Sequence, residues 1–262
     1  MAANKVVSHE EWLKARLELL DAEKDFTRER DALARRRMAM PWERVEKAYE
    51  FEGPNGTLSF AELFEGRSQL VVYHFMLAPD WDEGCKACSF WAGSFDGISI
   101  HLNHRDVTFT AASRAPLSKI KAYKQRMGWN FPWASSNGSD FNYDFQVSFK
   151  PEQLIDGRVY HNYKFTPANE LNETDEKGVS VFYRTDRGDV YHTYSCYMRG
   201  IDAMNSAYQF LDLVPKGRDE DGLRHPMEWL RRHDQYQRAE ASSKQGEKRC
   251  PRLGIAPRPS RS

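Results

Sequence analysis

Two cysteines separated by two residues follow a short apolar segment in the first half of this 262-residue chain. The apolar segment covers residues 70–76, and the cysteines are Cys85 and Cys88, in the sequence GCKAC. A continuous apolar run of this length is typical of a strand that is buried on both faces of a sheet. A loop that carries a Cys-x-x-Cys pair from such a strand to the start of a helix is a typical setting for a redox-active dithiol. The pattern therefore predicts an α/β fold with a thiol site at the end of a buried strand.

The segments after the dithiol predict alternating helices and strands. Residues 89–102 can form a helix that two glycines interrupt, and residues 107–112 form a second apolar strand. Because a strand, a helix and a strand in this order make a crossover connection, the two strands should be parallel. Another helix follows, with Ser113 as its predicted cap and Gly128 at its end, and residues 131–133 are then extended.

The second half of the chain supplies a hairpin and a final helix. Residues 179–183 and 190–194 have the alternating character of strands and flank a turn, so they predict an antiparallel hairpin. Residues 201–213 predict a helix. The order strand, helix, strand, hairpin and helix predicts a thioredoxin-like mixed sheet flanked by helices.

The rest of the sequence divides the chain into three parts. We expect an N-terminal helical extension at residues 1–40, a thioredoxin-like domain at residues 41–236 and a disordered basic tail at residues 237–262. Within the central part, residues 135–177 are polar and aromatic without clear periodicity, and we interpret them as an insertion.

The N-terminal extension has the pattern of one long helix over residues 8–37. Ser8 and Glu11 match a capping box, and an apolar stripe follows at helical spacing. The stripe consists of Trp12, Leu13, Leu17 and Leu20. We expect it to pack on the body of the same chain, and a homodimer contact through this helix is the alternative.

Charge and hydropathy exclude several kinds of partner. The 38 basic and 38 acidic side chains cancel, so no overall field attracts nucleic acid or a membrane surface. No apolar run has the length of a signal peptide core or a membrane span. We therefore expect a cytoplasmic protein with no nucleic-acid or membrane partner. In a reducing compartment, a Cys-x-x-Cys pair is more often catalytic, redox-sensing or metal-binding than a structural disulfide.

The position of each cysteine predicts its chemical role. Only a thiolate attacks a disulfide, and a helix N-terminus with Lys86 beside it favours the thiolate of Cys85. Cys88 lies one turn further along the helix and can resolve a mixed disulfide on Cys85. Asp82 and Glu83 oppose this trend, because nearby carboxylates raise the pKa of a thiol.

Metal binding and a third redox cysteine are the competing interpretations of these residues. A zinc site needs two more ligands at suitable spacing, and Cys196, His192 and Cys250 are too scattered to provide them. We therefore expect neither a metal nor another cofactor. Cys196 is interpreted as a small core residue.

A peroxidase is the nearest enzymatic alternative. Peroxiredoxins carry a proline and a threonine seven and three residues before the reactive cysteine, where this chain has Ala78 and Asp82. Arg114, at the end of the second strand, is a candidate contact for an anion or a peroxide. His74 precedes the dithiol on its strand and is either a proton relay or a hydrogen-bonded core histidine.

Several longer motifs resemble one known family. They are WDEGCKACSF (81–90), FDG (95–97), HLNHRDV (101–107), SRAP (113–116), MGWNFPW (127–133), SDFNYDF (139–145), HTYS (192–195), RG (199–200) and LDL (211–213). Over roughly residues 8–236, the chain is similar to a thioredoxin-like family formally of unknown function, whose members are described as predicted dithiol-disulfide oxidoreductases. The resemblance implies a thioredoxin-like fold and a redox role for Cys85 and Cys88.

One departure from thioredoxins affects the expected chemistry. Thioredoxins have a cis-proline before the strand that enters the hairpin, whereas residues 178–181 here are GVSV. Substrate docking should therefore differ, and metal capture by the dithiol is less hindered. Two function classes remain: a thiol–disulfide oxidoreductase, and a non-catalytic binding or accessory protein whose insertion recognises a partner. The expected partners of the enzyme are a disulfide-containing protein or a small-molecule thiol, and a reductant of unknown identity.

Overall fold

The structure is a computed structural model that describes residues 4–171 and 174–236. The strands of its main sheet are β1 (Glu43–Arg44), β2 (Glu50–Gly53), β3 (Gly56–Ser59), β4 (Gln69–His74), β5 (Val107–Ser113), β6 (Trp133–Ser135), β9 (Gly178–Arg184) and β10 (Val190–Tyr197). A separate hairpin consists of β7 (Arg158–His161) and β8 (Lys164–Pro167). The helices are α1 (His9–Met38), α2 (Lys86–Ala92), α3 (Ile98–His104), α4 (Leu117–Met127), α5 (Phe141–Asp144) and α6 (Ser206–Leu211).

The strand order confirms the thioredoxin-like fold. Within the described residues the main sheet runs β1-β10-β9-β4-β5-β6-β2-β3. Strand β4 is parallel to β5 and antiparallel to β9, and β9 forms the predicted antiparallel hairpin with β10. The strand before the dithiol is therefore central, with a strand on each side.

Strand β4 lies between two apolar cores. On one face, Tyr73 joins a core that includes Cys88, Trp91 and side chains of α4. On the other face, Leu70 and Val72 pack against a group of aromatic side chains from other elements. Burial on both faces explains why this strand is a continuous apolar run.

Helices α2 and α3 replace the single interrupted helix that residues 89–102 predict. Helix α2 ends at Ala92, and α3 begins after Gly97, whose φ is +89°. A left-handed φ of this kind is accessible to glycine at no steric cost. The predicted interruption by glycines is confirmed.

Helix α4 ends as predicted but does not begin as predicted. Gly128 closes it with a φ of +71°. The expectation that Ser113 caps the helix is wrong, because the helix begins after Pro116 and Ser113 is the last residue of β5. The Ser113 hydroxyl donates instead to the carbonyl of Phe75 at 2.6 Å and accepts from the indole of Trp133.

The helix predicted at residues 201–213 is also shorter than expected. A 3₁₀ segment at Met198–Met204 precedes α6, and Asn205 separates them in an extended conformation. The buried side chain of Asn205 accepts a hydrogen bond from the backbone amide of Tyr208. A cap in the middle of the predicted segment breaks it into two, because asparagine side chains compete for backbone donors at a helix start.

Helix α1 forms as predicted, including the capping box of Ser8 and Glu11. The expectation that its apolar stripe packs on the body of the same chain is wrong, since no residue of α1 is buried. Its end touches the body where the Arg37 guanidinium lies over the ring of Tyr194. Sixteen of its 30 residues are charged, eight acidic and eight basic, and they separate the apolar residues into narrow stripes rather than one broad face.

The division of the chain into domains stays a prediction. The segment interpreted as an insertion contains α5 and the hairpin of β7 and β8, and the predicted basic tail at 237–262 lies outside the described residues. Of the helices that the structure describes, none is both long enough and apolar enough to cross a membrane.

Candidate thiol site

The end of β4 and the start of α2 position Cys85. The chain loops out after β4, and the backbone amide of Cys85 then donates to the carbonyl of Met76 at 3.1 Å. Cys85 is the N-cap residue of α2, and its sulfur accepts from the backbone amide of Cys88 at 3.5 Å. The thiol therefore lies where the first amides of a helix have no other acceptor.

Close packing holds the loop in place at Gly84. A Cβ atom at this position would lie 2.6 Å from the ring of Tyr123 and 2.7 Å from that of Phe75. The buried guanidinium of Arg232 donates to the Gly84 carbonyl at 2.8 Å and to the Tyr123 hydroxyl at 3.2 Å. The Cys85 backbone is thus fixed from two sides, by aromatic rings and by an arginine more than 140 residues away in sequence.

The surroundings of Cys85 lower the pKa of its thiol. The largest cause is a hydrogen bond from the Cys88 side chain, and the backbone amide of Cys88, the charge of Lys177 and the amide of Ala87 act in the same direction. Burial opposes them but does not outweigh them. A thiolate at Cys85 is therefore stabilised by donors that the fold already holds in position.

Cys88 has the opposite properties. It is fully buried, and this burial raises the pKa of its thiol well above the usual value, with the neighbouring Cys85 adding to the rise. Both residues are free thiols. The pair therefore consists of a half-buried sulfur that favours the anion and a buried sulfur that holds its proton.

Cys85 opens into a cleft of about 790 Å³. The dithiol loop forms one wall, and residues 224–232 of the C-terminal part form the opposite wall. Lys86 and Lys177 also line it. The cleft gives a disulfide-bearing ligand access to Cys85, while Cys88 lies behind it in the core.

The carboxylate of Glu83 is paired with two arginines. Glu83 forms ion pairs with Arg126 and with Arg232, the latter at 2.7 Å. The hydrogen bond from Arg126, and the charges of both arginines, hold the pKa of Glu83 below its usual value. Its negative charge is therefore balanced locally.

Lys177 is a site residue that sequence reasoning missed. Its side chain is mostly buried, and its ammonium lies 5.1 Å from the centre of the Trp91 ring. Its charge lowers the pKa of both cysteines, whereas Lys86 is exposed. Its place directly before β9 is the sequence feature that could have identified it. Gly178, the first residue of β9, pairs with the last residue of β4, and the dithiol loop follows β4.

Two other candidates lie away from the dithiol. His74 points to the opposite face of the sheet, where it shares a hydrogen bond with the Ser180 hydroxyl at 2.8 Å and stacks on Phe141. Burial lowers the pKa of His74 to about 3. Of the two interpretations of His74, the structure fits the hydrogen-bonded core histidine and not the proton relay. Arg114 is bound to Asp175 at 2.6 Å and does not line the cleft.

The remaining cysteines do not extend the site. Cys196 is buried, and burial raises the pKa of its thiol, as suits a core residue. Cys250 lies outside the described residues. Across residues 4–171 and 174–236, no cluster of three or more histidine, cysteine or acidic side chains has the arrangement of a metal site.

The sequence matches one known family over most of its length. Its residues 1–236 match the family described as "Bacterial protein of unknown function (DUF899)". The chain belongs to this family. No curated protein matches this DUF899 chain significantly.

Several solved structures resemble the DUF899 chain in part. The peroxidoxin BcpB of Mycobacterium tuberculosis is 16% identical, with a TM-score of 0.39, over 64% of this chain and 94% of that one. Peroxiredoxin Q of Xanthomonas campestris is 13% identical, with a TM-score of 0.37, over 62% and 90%. A candidate thiol-disulfide oxidoreductase of Bacteroides vulgatus is 17% identical, with a TM-score of 0.30, over 40% and 70%.

Proposed function

We propose that this protein is a thiol–disulfide oxidoreductase in which Cys85 attacks and Cys88 resolves. The observation that carries the proposal is the contrast within the pair. Cys85 faces the cleft with a lowered pKa, and Cys88 lies behind it with a raised pKa. A disulfide exchange needs one accessible thiolate and one protected thiol within reach of it.

The proposed cycle has two exchange steps. The Cys85 thiolate attacks one sulfur of a substrate disulfide, forms a mixed disulfide and releases the other sulfur as a thiolate. Cys88 then loses its proton to solvent and attacks the Cys85 sulfur. This attack releases the second substrate thiolate and forms the Cys85–Cys88 disulfide. The substrate gains two electrons and the dithiol loses two. An external dithiol reductant returns them.

Lys177 supports both steps in this proposal. Its ammonium stabilises the Cys85 thiolate before attack, and it lowers the cost of ionising the buried Cys88 thiol in the second step. Stabilising the reduced form in this way also makes the disulfide form a stronger oxidant.

The test uses an aromatic disulfide whose released thiolate absorbs visible light. Every protein in the test carries Cys250→Ser, because Cys250 is a fourth thiol outside the pair. The parent protein, called wild type in this test, should release two equivalents of the aromatic thiolate, one in each step. Cys88→Ser should release one equivalent and keep the other half as a mixed disulfide, visible by mass spectrometry. Cys85→Ser should react slowly or not at all, and Cys196→Ser is the control that should match wild type.

Other outcomes separate the alternatives. If wild-type protein reacts no faster than Cys85→Ser, the pair is not an exchange site and the non-catalytic binding role is favoured. Hydrogen peroxide serves as a second oxidant. We expect it to react more slowly than the disulfide, because Arg114 is held by Asp175 away from the cleft. A faster reaction with peroxide would favour the peroxidase instead.

A further inference from the structure

Helix α1 presents an apolar seam that nothing in the described chain covers. Trp12, Leu19, Phe26 and Leu33 are 53%, 55%, 60% and 43% exposed. They recur every seven residues, which is about two helical turns, so they form one line along most of the helix. A second stripe of Leu13, Leu17 and Leu20 stops in the first half of the helix.

The positions between these residues complete a heptad pattern. With Trp12 at position a, Ala15 and Ala22 take the next two d positions, and Glu29 and Arg36 take the last two. An a and d seam repeated over four heptads is the pattern of a two-stranded coiled coil. Its apolar part lies toward the N-terminus, away from the body of the protein.

An isolated helix of this kind lacks the usual source of stability. Helices gain most of their stability from packing an apolar face, and none of the residues of α1 is buried. A line of exposed large apolar side chains is also typical of an interaction surface. We propose that α1 pairs with α1 of a second copy of this chain, as a parallel two-stranded coiled coil.

The charges beside the seam select the second copy and the parallel orientation. One flank carries the acidic residues Glu11, Glu18 and Asp25, and the other carries Arg16, Glu23, Arg30 and Arg37. In a parallel pair the two flanks face each other across the interface, which places Glu11 near Arg16 and Asp25 near Arg30 of the second copy. In an antiparallel pair each flank meets itself, so acidic residues face acidic residues.

The parallel pair contains some like-charged contacts, but its apolar contacts are better than those of an antiparallel pair. Glu18 faces Glu23 of the second copy, and Glu29 and Arg36 each meet their own copy in the seam. An antiparallel pair aligned over its full length would instead place Trp12 against Arg36 and Leu19 against Glu29. In the parallel pair, each of the four large apolar residues contacts the same residue of the second copy.

A membrane surface is a poor fit to the same helix. Its five glutamates and three aspartates balance two lysines and six arginines, so the helix carries no excess positive charge for anionic lipids. A self-complementary partner fits this neutral, two-sided charge pattern better.

The first experiment measures the mass of the full chain by sedimentation equilibrium over a range of concentrations. We expect a monomer–dimer equilibrium. Leu19→Glu should raise the dissociation constant by about a hundredfold or more, because each dimer loses two buried leucines and gains two acidic residues in the seam. Leu17→Glu is the matched control, since Leu17 is 51% exposed on the same helix but lies outside the seam. It should leave the dissociation constant within a few fold of wild type.

The second experiment tests the orientation with a charge exchange. Asp25→Arg and Arg30→Asp should each weaken the dimer by roughly tenfold, because each change creates two like-charged contacts. The double variant should restore the wild-type constant in a parallel pair. Far-ultraviolet circular dichroism of each variant shows whether the helix itself persists.

Three results would overturn the proposal. They are a wild-type chain that stays monomeric at all concentrations, a Leu17→Glu variant that dissociates as readily as Leu19→Glu, and a double charge variant weaker than either single one. Binding of wild-type monomer to anionic vesicles, without a dimer, would assign the seam to a lipid surface instead.

Discussion

Neighbouring residues of β4 meet very different environments on the two faces of the sheet. Tyr73 and His74 are both fully buried, but the pleat sends them in opposite directions. On the Tyr73 face, the core ends in a charged cleft that exposes Cys85. On the His74 face, hydrogen bonds link His74 to Ser180, Ser180 to Ser195, and Ser195 to His192. One face stabilises a charged group near solvent, and the other keeps a titratable group neutral in the core.

The environment on each face of the sheet decides what a titratable side chain does. Cys85 has preset hydrogen-bond donors and a nearby cation, and so its anion is favoured. His74 has a hydroxyl partner and aromatic neighbours, and so its neutral form is favoured. Three predictions test this contrast.

The largest expected effect concerns the neutral face. The pKa of His74 is about 3 in the folded protein and about 6.5 in an unfolded chain. The unfolded state therefore binds a proton first as the pH falls. The stability that His74 contributes is complete above about pH 6.5 and is lost progressively between about pH 6.5 and pH 3.

The measurement compares urea unfolding of wild type and His74→Gln at pH 7.5 and pH 4.5. At each pH, the free energy of unfolding of His74→Gln is subtracted from that of wild type. This difference should be about 3 kcal/mol lower at pH 4.5 than at pH 7.5. Other groups titrate in both proteins and cancel. A difference that does not change with pH would mean that His74 is not held neutral.

The second prediction concerns the support of the charged face. Gly84→Ala should destabilise the protein by about 1–3 kcal/mol, because the new methyl group overlaps the rings of Tyr123 and Phe75. It should also slow the reaction of Cys85 with a disulfide, since the loop must shift. Gly222→Ala is the control, because a Cβ atom there meets nothing within 4 Å. Equal urea midpoints for the two variants would contradict the tight packing at Gly84.

The smallest expected effect concerns the cation near the dithiol. Lys177→Met should raise the pKa of Cys85, measured as the ultraviolet absorbance of the thiolate against pH, because a stabilising charge is removed. Lys86→Met should change this pKa less, since Lys86 is exposed to solvent. If Lys86→Met raised the pKa of Cys85 more than Lys177→Met, Lys86 would be the main cation that stabilises the thiolate.

The sequence predicted the elements that local patterns determine. The apolar run at β4, the parallel pairing of β5 and the position of the dithiol at the start of α2 all follow from neighbouring residues. The thioredoxin-like strand order follows from their succession along the chain.

What the sequence did not predict depends on contacts between distant segments. Lys177 reaches the dithiol because β9 pairs with β4, and Arg232 reaches Gly84 from the C-terminal part. The segment around Arg232 carries no local pattern that signals its contact. The place of Lys177 directly before β9 signals a contact only once the pairing of β9 with β4 is known. The break at Asn205 was missed for another reason, because a single side-chain hydrogen bond overrode the helical periodicity.

The two edges of the main sheet offer little backbone for pairing with another strand. Its edge strands among the described residues are β1, with two residues, and β3, with four. Such short edges leave few unpaired backbone groups as a template for another chain. At β1 and β3 the sheet is therefore a poor seed for strand-to-strand aggregation.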